Sequence, residues 1–231
     1  MATKRTGASG TPDQQKRRIF IVDDHPVVRQ GLMQLLDNET DLVVCGQGEE
    51  AYQALRAIRE AKPDLVIVDI SLKDSDGIEL LKELKAQVPR LPVLVLSMHD
   101  EKLYAERALR AGAHGYIMKQ EVSDKLLGAV RTVLSGKVYV SDKMGSSLLQ
   151  RMVGGKNTSE KLPMDRLTDR ELEVFCMIGD GLSVKEIAEK LFLSAKTVEA
   201  HREHIKEKLS LKTSAELLRF AVKNAPGSEG H

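Results

Sequence analysis

The chain has 231 residues, 42% of them hydrophobic, and its 35 basic and 34 acidic residues nearly cancel to a formal net charge of +1. At the usual ~100 to 200 residues per domain this length predicts two compact domains. The balanced charge excludes partners attracted by bulk charge alone, so any basic surface has to be local. No apolar run approaches the roughly 20 residues of a membrane span, and none follows the charged start MATKRTGASGTPDQQKRR, so a cytoplasmic protein with no membrane partner is expected.

In chain order, residues 1–17 are rich in Gly, Ser, Thr and Lys and read as a disordered tail. Five short runs rich in Val, Ile and Leu follow: RIFIVD (18–23), LVVCG (42–46), LVIVD (65–69), PVLVLS (92–97) and GYIM (115–118). Between them lie segments of helical periodicity, such as VVRQGLMQLLDN, AYQALRAIREA and GIELLKELKAQ. Alternating strand and helix calls for an α/β domain, a parallel sheet with helices on both faces. Continuous apolar runs fit strands buried on both sides.

SDKLLGAVRTVLSG, with Ser123 as N-cap, closes this first domain, 18–137. Residues 138–162 contain the amphipathic piece LLQRMV and then a Gly/Lys/Asn/Ser cluster, and read as a linker. From Pro163 only helical signals remain. Asp169 is the expected cap of RELEVFCMI, which Gly179 and Gly181 stop; Ser183 caps VKEIAEKL; Ser194 precedes AKTVEAHREHIKEKL; Ser214 precedes AELLRFAVKN. Four short helices make a small all-α domain, 163–226, and 227–231 read as a second disordered tail. Cys45 and Cys176 stand among apolar neighbours, far apart and without metal-ligand spacing, and are expected to be reduced core residues.

In a doubly wound sheet, ligands bind beyond the carboxyl ends of the strands. There the sequence places Asp23 and Asp24, then Asp69, then Ser97, and Lys119 just past the fifth strand. Acids packed together raise one another's pKa unless a divalent cation neutralises them, and a hard, oxygen-rich site suits magnesium (Mg2+). One carboxylate can then act as nucleophile toward phosphorus, with the metal and Lys119 offsetting charge on the phosphoryl oxygens. The alternative is that strand-end acids simply solvate a sheet edge or cap helices. A phosphatase of the haloacid dehalogenase class needs a second acid two residues after the nucleophile, and neither Asp23-Asp24-His25 nor Asp69-Ile70-Ser71 supplies one.

Phe20 to Pro26 (FIVDDHP), Val66 to Gly77 (VIVDISLKDSDG), Leu94 to Asp100 (LVLSMHD) and Gly112 to Lys119 (GAHGYIMK) together resemble a response-regulator receiver domain. The resemblance implies a flavodoxin-like, five-stranded parallel sheet of order 2-1-3-4-5. It implies Asp69 as phosphoacceptor from a sensor histidine kinase, magnesium ligated by Asp24, Asp69 and the backbone carbonyl of Ser71, and Asp23 acting through water. It implies that Ser97 and Lys119 bind the phosphoryl group. Ser97 and Tyr116 form the switch pair, the hydroxyl moving toward phosphate and the ring turning inward, and Ser71 and His99 match positions that tune phosphate hydrolysis. Asp74 and Asp76 lie in the following loop, with Asp76 a candidate helix cap. Lys73 and Gln120 stand where receivers usually carry proline, and Lys73 is expected to loosen the loop and alter phosphate lifetime.

SVKEIAEKL, the break Phe192-Leu193-Ser194 and AKTVEAHREHIKEKL have the layout of a helix-turn-helix whose second helix enters the major groove. At about 100° per residue, Val198, His201, Ile205 and Leu209 form its core face. Lys196, Glu199, Ala200, Glu203 and Glu207 lie opposite, flanked by Arg202 and Lys206 and by His204 and Lys208. Basic edges suit phosphates, and a polar centre suits bases. The local charge excess is small, and the alternative is a solvated helix held by pairs such as Glu199 with Arg202 and Glu203 with Lys206. Against it, Glu199, Glu203 and Glu207 repel at successive i,i+4 spacings.

Leu167 to Leu209 resembles the LuxR-type DNA-binding domain; joined to a receiver, it implies the NarL/FixJ class of transcription regulators. That implies Glu199, Ala200 and Glu203 facing the groove, Lys196, Thr197, Arg202 and Lys206 on the DNA backbone, and a last helix that forms a dimer contact. The expected function is a DNA-binding regulator switched by phosphorylation, a homodimer on double-stranded DNA when active, and not a turnover enzyme. The competing reading is a DNA-binding or interaction module indifferent to phosphorylation.

Overall fold

The computed structural model describes residues 16–72, 77–153 and 163–224. Lys73, Asp74 and Asp76, the expected tails before Lys16 and beyond Asn224, and the Gly-rich end of the expected linker lie outside the described residues.

Five strands, β1 (Arg17–Val22), β2 (Leu42–Gly48), β3 (Leu65–Asp69), β4 (Val93–Ser97) and β5 (Gly115–Met118), pair in parallel in the order β2-β1-β3-β4-β5. Helices α1 (Pro26–Asp37), α2 (Ala51–Ala61), α3 (Gly77–Gln87), α4 (Glu101–Ala111) and α5 (Val122–Leu134) alternate with them. Side chains alternate across each strand, so Ile19, Ile21, Ile67, Leu94, Leu96 and Ile117 bury against α1 and α5. The opposite set, among them Phe20, Val66, Val68, Val95 and Tyr116, packs under α2, α3 and α4. β3 and β4 are buried at every residue, as double-sided cover requires.

Local signals shift several expected boundaries. β1 begins at Arg17, whose guanidinium pairs with Asp64 at 3.2 Å. A 3-10 turn over Lys119–Glu121 feeds directly into α5, so Ser123 lies inside its first turn and is not the cap. The expected linker begins with ordered structure: Tyr139 bridges to Gly115, and α6 spans Asp142–Val153. Ser141 starts that helix, its Oγ accepting from the Met144 N–H at 3.1 Å while its own N–H donates to Glu101.

A 3-10 turn (Pro163–Arg166) precedes α7 (Asp169–Gly179), α8 (Val184–Lys190), α9 (Ala195–Leu209) and α10 (Ser214–Asn224). Thr168, not Asp169, caps α7, in a capping box closed by Glu171. Ser183 and Ser194 cap α8 and α9 as expected. Ser214 is already helical, and the Thr213 hydroxyl accepts from the Glu216 N–H at 3.1 Å. Cys45 and Cys176 are free and only partly buried; burial pushes the Cys176 thiol up to about 12.

The two domains touch through α4 and α7. Arg107 lies 3.3 Å from an Asp169 carboxylate oxygen and donates to the Leu167 carbonyl. The apolar cluster under α4 is continuous with the core of the helical domain.

Candidate phosphoryl and nucleic-acid sites

Parallel register delivers the strand-end residues to one edge. Val22 pairs with Val68 and Asp69 with Leu96, so Asp23 falls beside Asp69, and Ser97, paired with Met118, lies next along. Asp23, Asp69 and Ser97 are buried. Lys119 Nζ sits 2.7 Å from both Asp23 Oδ2 and Asp69 Oδ2. Asp69 Oδ1 accepts from the Ser71 N–H at 3.0 Å, and Asp23 Oδ1 from the His25 N–H at 2.8 Å. Burial raises the Asp69 carboxyl above its usual value; Lys119 opposes the shift and Asp23 adds to it. Burial alone would lower Lys119, yet the two aspartates hold its ammonium above the ordinary lysine value.

One oxygen each from Asp23, Asp24 and Asp69 and a ring nitrogen of His25 lie within 4.8 Å of one another. Asp24 Oδ2 is buried with no hydrogen-bond partner among the described residues. An orphaned carboxylate oxygen inside a cluster of acids is costly, and a hard divalent cation with oxygen ligands relieves both the vacancy and the repulsion. The donor set therefore fits magnesium.

Two supporting residues escaped the sequence reading. His25 Nδ1 lies 2.7 Å from Asp24 Oδ1. Arg29 donates to the Asp23 carbonyl at 2.6 Å and to Gln47 Oε1 at 3.2 Å, and pairs with Glu49. Its signal was present: Arg29, Leu32 and Leu36 share the buried stripe of α1, where a charge needs a reason.

The Tyr116 ring is already inward, its hydroxyl donating to the His99 carbonyl at 2.9 Å, while the His99 N–H donates to Ser97 Oγ at 3.0 Å. His99 Nε2 is 2.9 Å from Ser71 Oγ, so the two expected tuning positions are in contact.

In the helical domain, Val198 and Ile205 of α9 are fully buried, while Lys196, Glu199, Ala200 and Glu203 are exposed together on the other side. Arg202 pairs with Glu199 and Lys206 with Glu203, both at 2.9 Å, so the edge cations lie along the helix. Thr197 sits in the first turn of the helix, its N–H donating to Oγ of the cap residue Ser194 at 3.0 Å. Lys208 instead turns to α7, its Nζ donating to both Glu171 oxygens.

Residues 19–131 match the model of the response regulator receiver domain, and 165–221 that of the bacterial regulatory proteins of the luxR family. The chain is 40% identical over 210 residues to the oxygen regulatory protein NreC of Staphylococcus haemolyticus, covering 89% of this chain and 97% of that one. NreC of Staphylococcus aureus is 39% identical over 212 residues with the same coverage. Among solved structures, the Salmonella RcsB response regulator superposes with a TM-score of 0.54 at 27% identity, over 90% of this chain and 99% of RcsB. RcsB bound to a promoter with the phosphomimetic BeF3- superposes with a TM-score of 0.55 at 26% identity, over 90% of this chain and all of that one. With both domain models matched in order and homology along nearly the whole of NreC, the chain belongs to the NarL-type response regulators of two-component systems, DNA-binding transcription regulators activated by phosphorylation.

Proposed function

We propose that Asp69 is the residue phosphorylated, its carboxylate oxygen attacking in line the phosphorus of a sensor kinase phosphohistidine as the P–N bond breaks and the kinase imidazole leaves, and that the modified receiver changes dimerisation and DNA binding. The observation that carries this is the buried Asp69 carboxylate at the tip of β3, contacted by Lys119 at 2.7 Å and crowded by Asp23 and Asp24. Asp24, Asp69 and the Ser71 carbonyl would hold magnesium, with Asp23 acting through water; the ion, when bound, neutralises the acids and the phosphoryl oxygens.

The chain's own groups do the rest. Lys119, anchored between two carboxylates, is poised to accompany a phosphoryl oxygen, and its raised pKa keeps it charged. The Ser71 N–H, already on Asp69 Oδ1, orients the carboxylate. The Ser97 hydroxyl, one strand away, turns toward the new phosphate. The exposed ridge of α9 reads DNA: Glu199, Ala200 and Glu203 at bases, and Lys196, Thr197, Arg202 and Lys206 at phosphates once the two cations exchange their glutamate partners for DNA. Two copies are expected on half-sites about one helical turn apart.

The test is a titration with acetyl phosphate or beryllofluoride in the presence of magnesium, following dimerisation and DNA affinity of wild type and Asp69→Asn. The response should be lost in the variant. Equal behaviour of the two proteins would overturn Asp69 as the switch.

A further inference from the structure

Ser97, Tyr116 and Ser71, three residues around the phosphoryl site, all meet at His99. Its N–H donates to Ser97 Oγ at 3.0 Å, its carbonyl accepts from the Tyr116 hydroxyl at 2.9 Å, and its Nε2 lies 2.9 Å from Ser71 Oγ. Ser71 in turn donates its N–H to the Asp69 carboxylate. The imidazole is stacked on Tyr104 of α4, with ring centroids 4.4 Å apart and planes 17° apart, so it has little freedom to turn.

The same ring also faces the other domain. Nε2 lies 3.5 Å from Oε1 of Glu173 on α7, and the second oxygen of Glu173 is held by Arg170 at 2.6 Å. Both side chains are largely shielded, 18% exposed for His99 and 11% for Glu173. A ring nitrogen offers one proton or one lone pair. Ser71 Oγ and Glu173 Oε1 therefore compete for a single atom, one partner belonging to the phosphoryl loop and the other to the DNA-binding domain.

We infer that His99 is a positioning residue through which the seat of the helical domain is coupled to the phosphoryl site. The inference rests on the proposed role of Asp69 and Ser97. A Ser97 hydroxyl that turns toward phosphate gives up the His99 N–H, and the loop carrying that N–H shifts. Glu173, fixed by Arg170, holds the loop in its present place and so opposes the shift. Coupling is reciprocal: a docked α7 weakens phosphoryl binding by the factor by which phosphoryl binding weakens docking. The clamp is a single partly shielded contact at 3.5 Å, so a factor of about five, at the low end of such couplings, is expected.

A double-mutant cycle in the full chain tests this. The beryllofluoride concentration at half-saturation is measured with magnesium for wild type, Glu173→Gln, His99→Ala and the double variant, and hydrogen exchange of α4 and α7 reports docking in the same samples. Glu173→Gln should lower the midpoint about fivefold with His99 present and leave it unchanged with Ala there. His99→Gln, which returns one polar group near the Nε2 position, should restore part of the difference; it decides the case if the alanine variant does not fold. An equal shift in both backgrounds, or none in either, overturns the inference. A wild type that ignores beryllofluoride, or an Asp69→Asn that responds as wild type does, overturns the proposed function instead.

Discussion

Gly77 opens α3 directly behind the phosphoryl site, and its substitution by alanine gives a sharp test of how tightly that site is built. A Cβ at Gly77 would stand 2.6 Å from Ile70 Cα and 2.7 Å from the carbonyl oxygens of Asp69 and Ile70. Ordinary contact begins at 3.4 Å, so backbone and not a flexible side chain has to retreat by ~0.8 Å. The Gly77 N–H also donates to the Ile70 carbonyl at 3.1 Å, a bond that the retreat weakens. Overpacking of this kind costs typically ~1–3 kcal/mol, which at a usual urea dependence lowers the receiver midpoint by about 1 M. Because the displaced atoms include the carbonyl of Asp69 itself, phosphorylation by acetyl phosphate should slow by about tenfold or more. Gly31→Ala is the control: that glycine is exposed in the middle of α1, and a Cβ meets nothing within 4 Å. There alanine should stabilise by roughly 0.5–1 kcal/mol. Gly77→Ala within about 0.5 kcal/mol of wild type, the range of ordinary surface substitutions, with unchanged labelling, would refute the steric reasoning.

Three further outcomes are expected. Arg29→Met keeps the apolar stem but strips the Asp23 carbonyl and Gln47 of their donor. Urea unfolding should show a loss of about 1–3 kcal/mol, with Arg29→Lys recovering only part because one ammonium cannot reproduce the fork. In the helical domain burial raises the Glu171 carboxyl, but hydrogen bonds from Lys208 and Thr168 outweigh it, so its folded value lies below the unfolded one. Stability from this group is present above the unfolded carboxyl value and fades as pH falls through the lower folded value. The gap in melting temperature between wild type and Lys208→Met should therefore narrow on acidification; a constant gap would contradict the assignment. Lys196→Ala should weaken binding evenly across DNA sequences and reduce the salt slope by about 1, whereas Glu203→Gln should change base preference more than overall affinity.

The receiver was readable because its signals are local. LVIVD is a complete strand whose last residue is the phosphoacceptor candidate, and parallel pairing carries every such residue to one edge. The cap of α7 was placed one residue late, at Asp169, although the deciding signal is local: both residues are cap formers, and only Thr168 has a glutamate three residues on. The ordered start of the expected linker was harder: Ser141 accepts locally from the Met144 N–H, but its own N–H is held by Glu101, forty residues earlier. The α4–α7 contact left no local trace. His99 with Glu173 and Arg107 with Asp169 are pairs separated by most of the receiver-to-helix connection, and nothing periodic announces them.

That contact also constrains how release of the helical domain acts. The first turns of α7 carry three shielded carboxylates, favourably placed at a helix N-terminus. Glu171 is satisfied inside its own domain by Lys208, whereas Asp169 and Glu173 look across to Arg107 and His99. The receiver therefore grips α7, while Lys196, Glu199, Ala200 and Glu203 of α9 remain exposed in the same structure. Uncovering adds little to a reading face that is already open. Under the function proposed above, breaking the grip instead frees the domain to take a new position, which paired half-sites at one fixed spacing require of both copies.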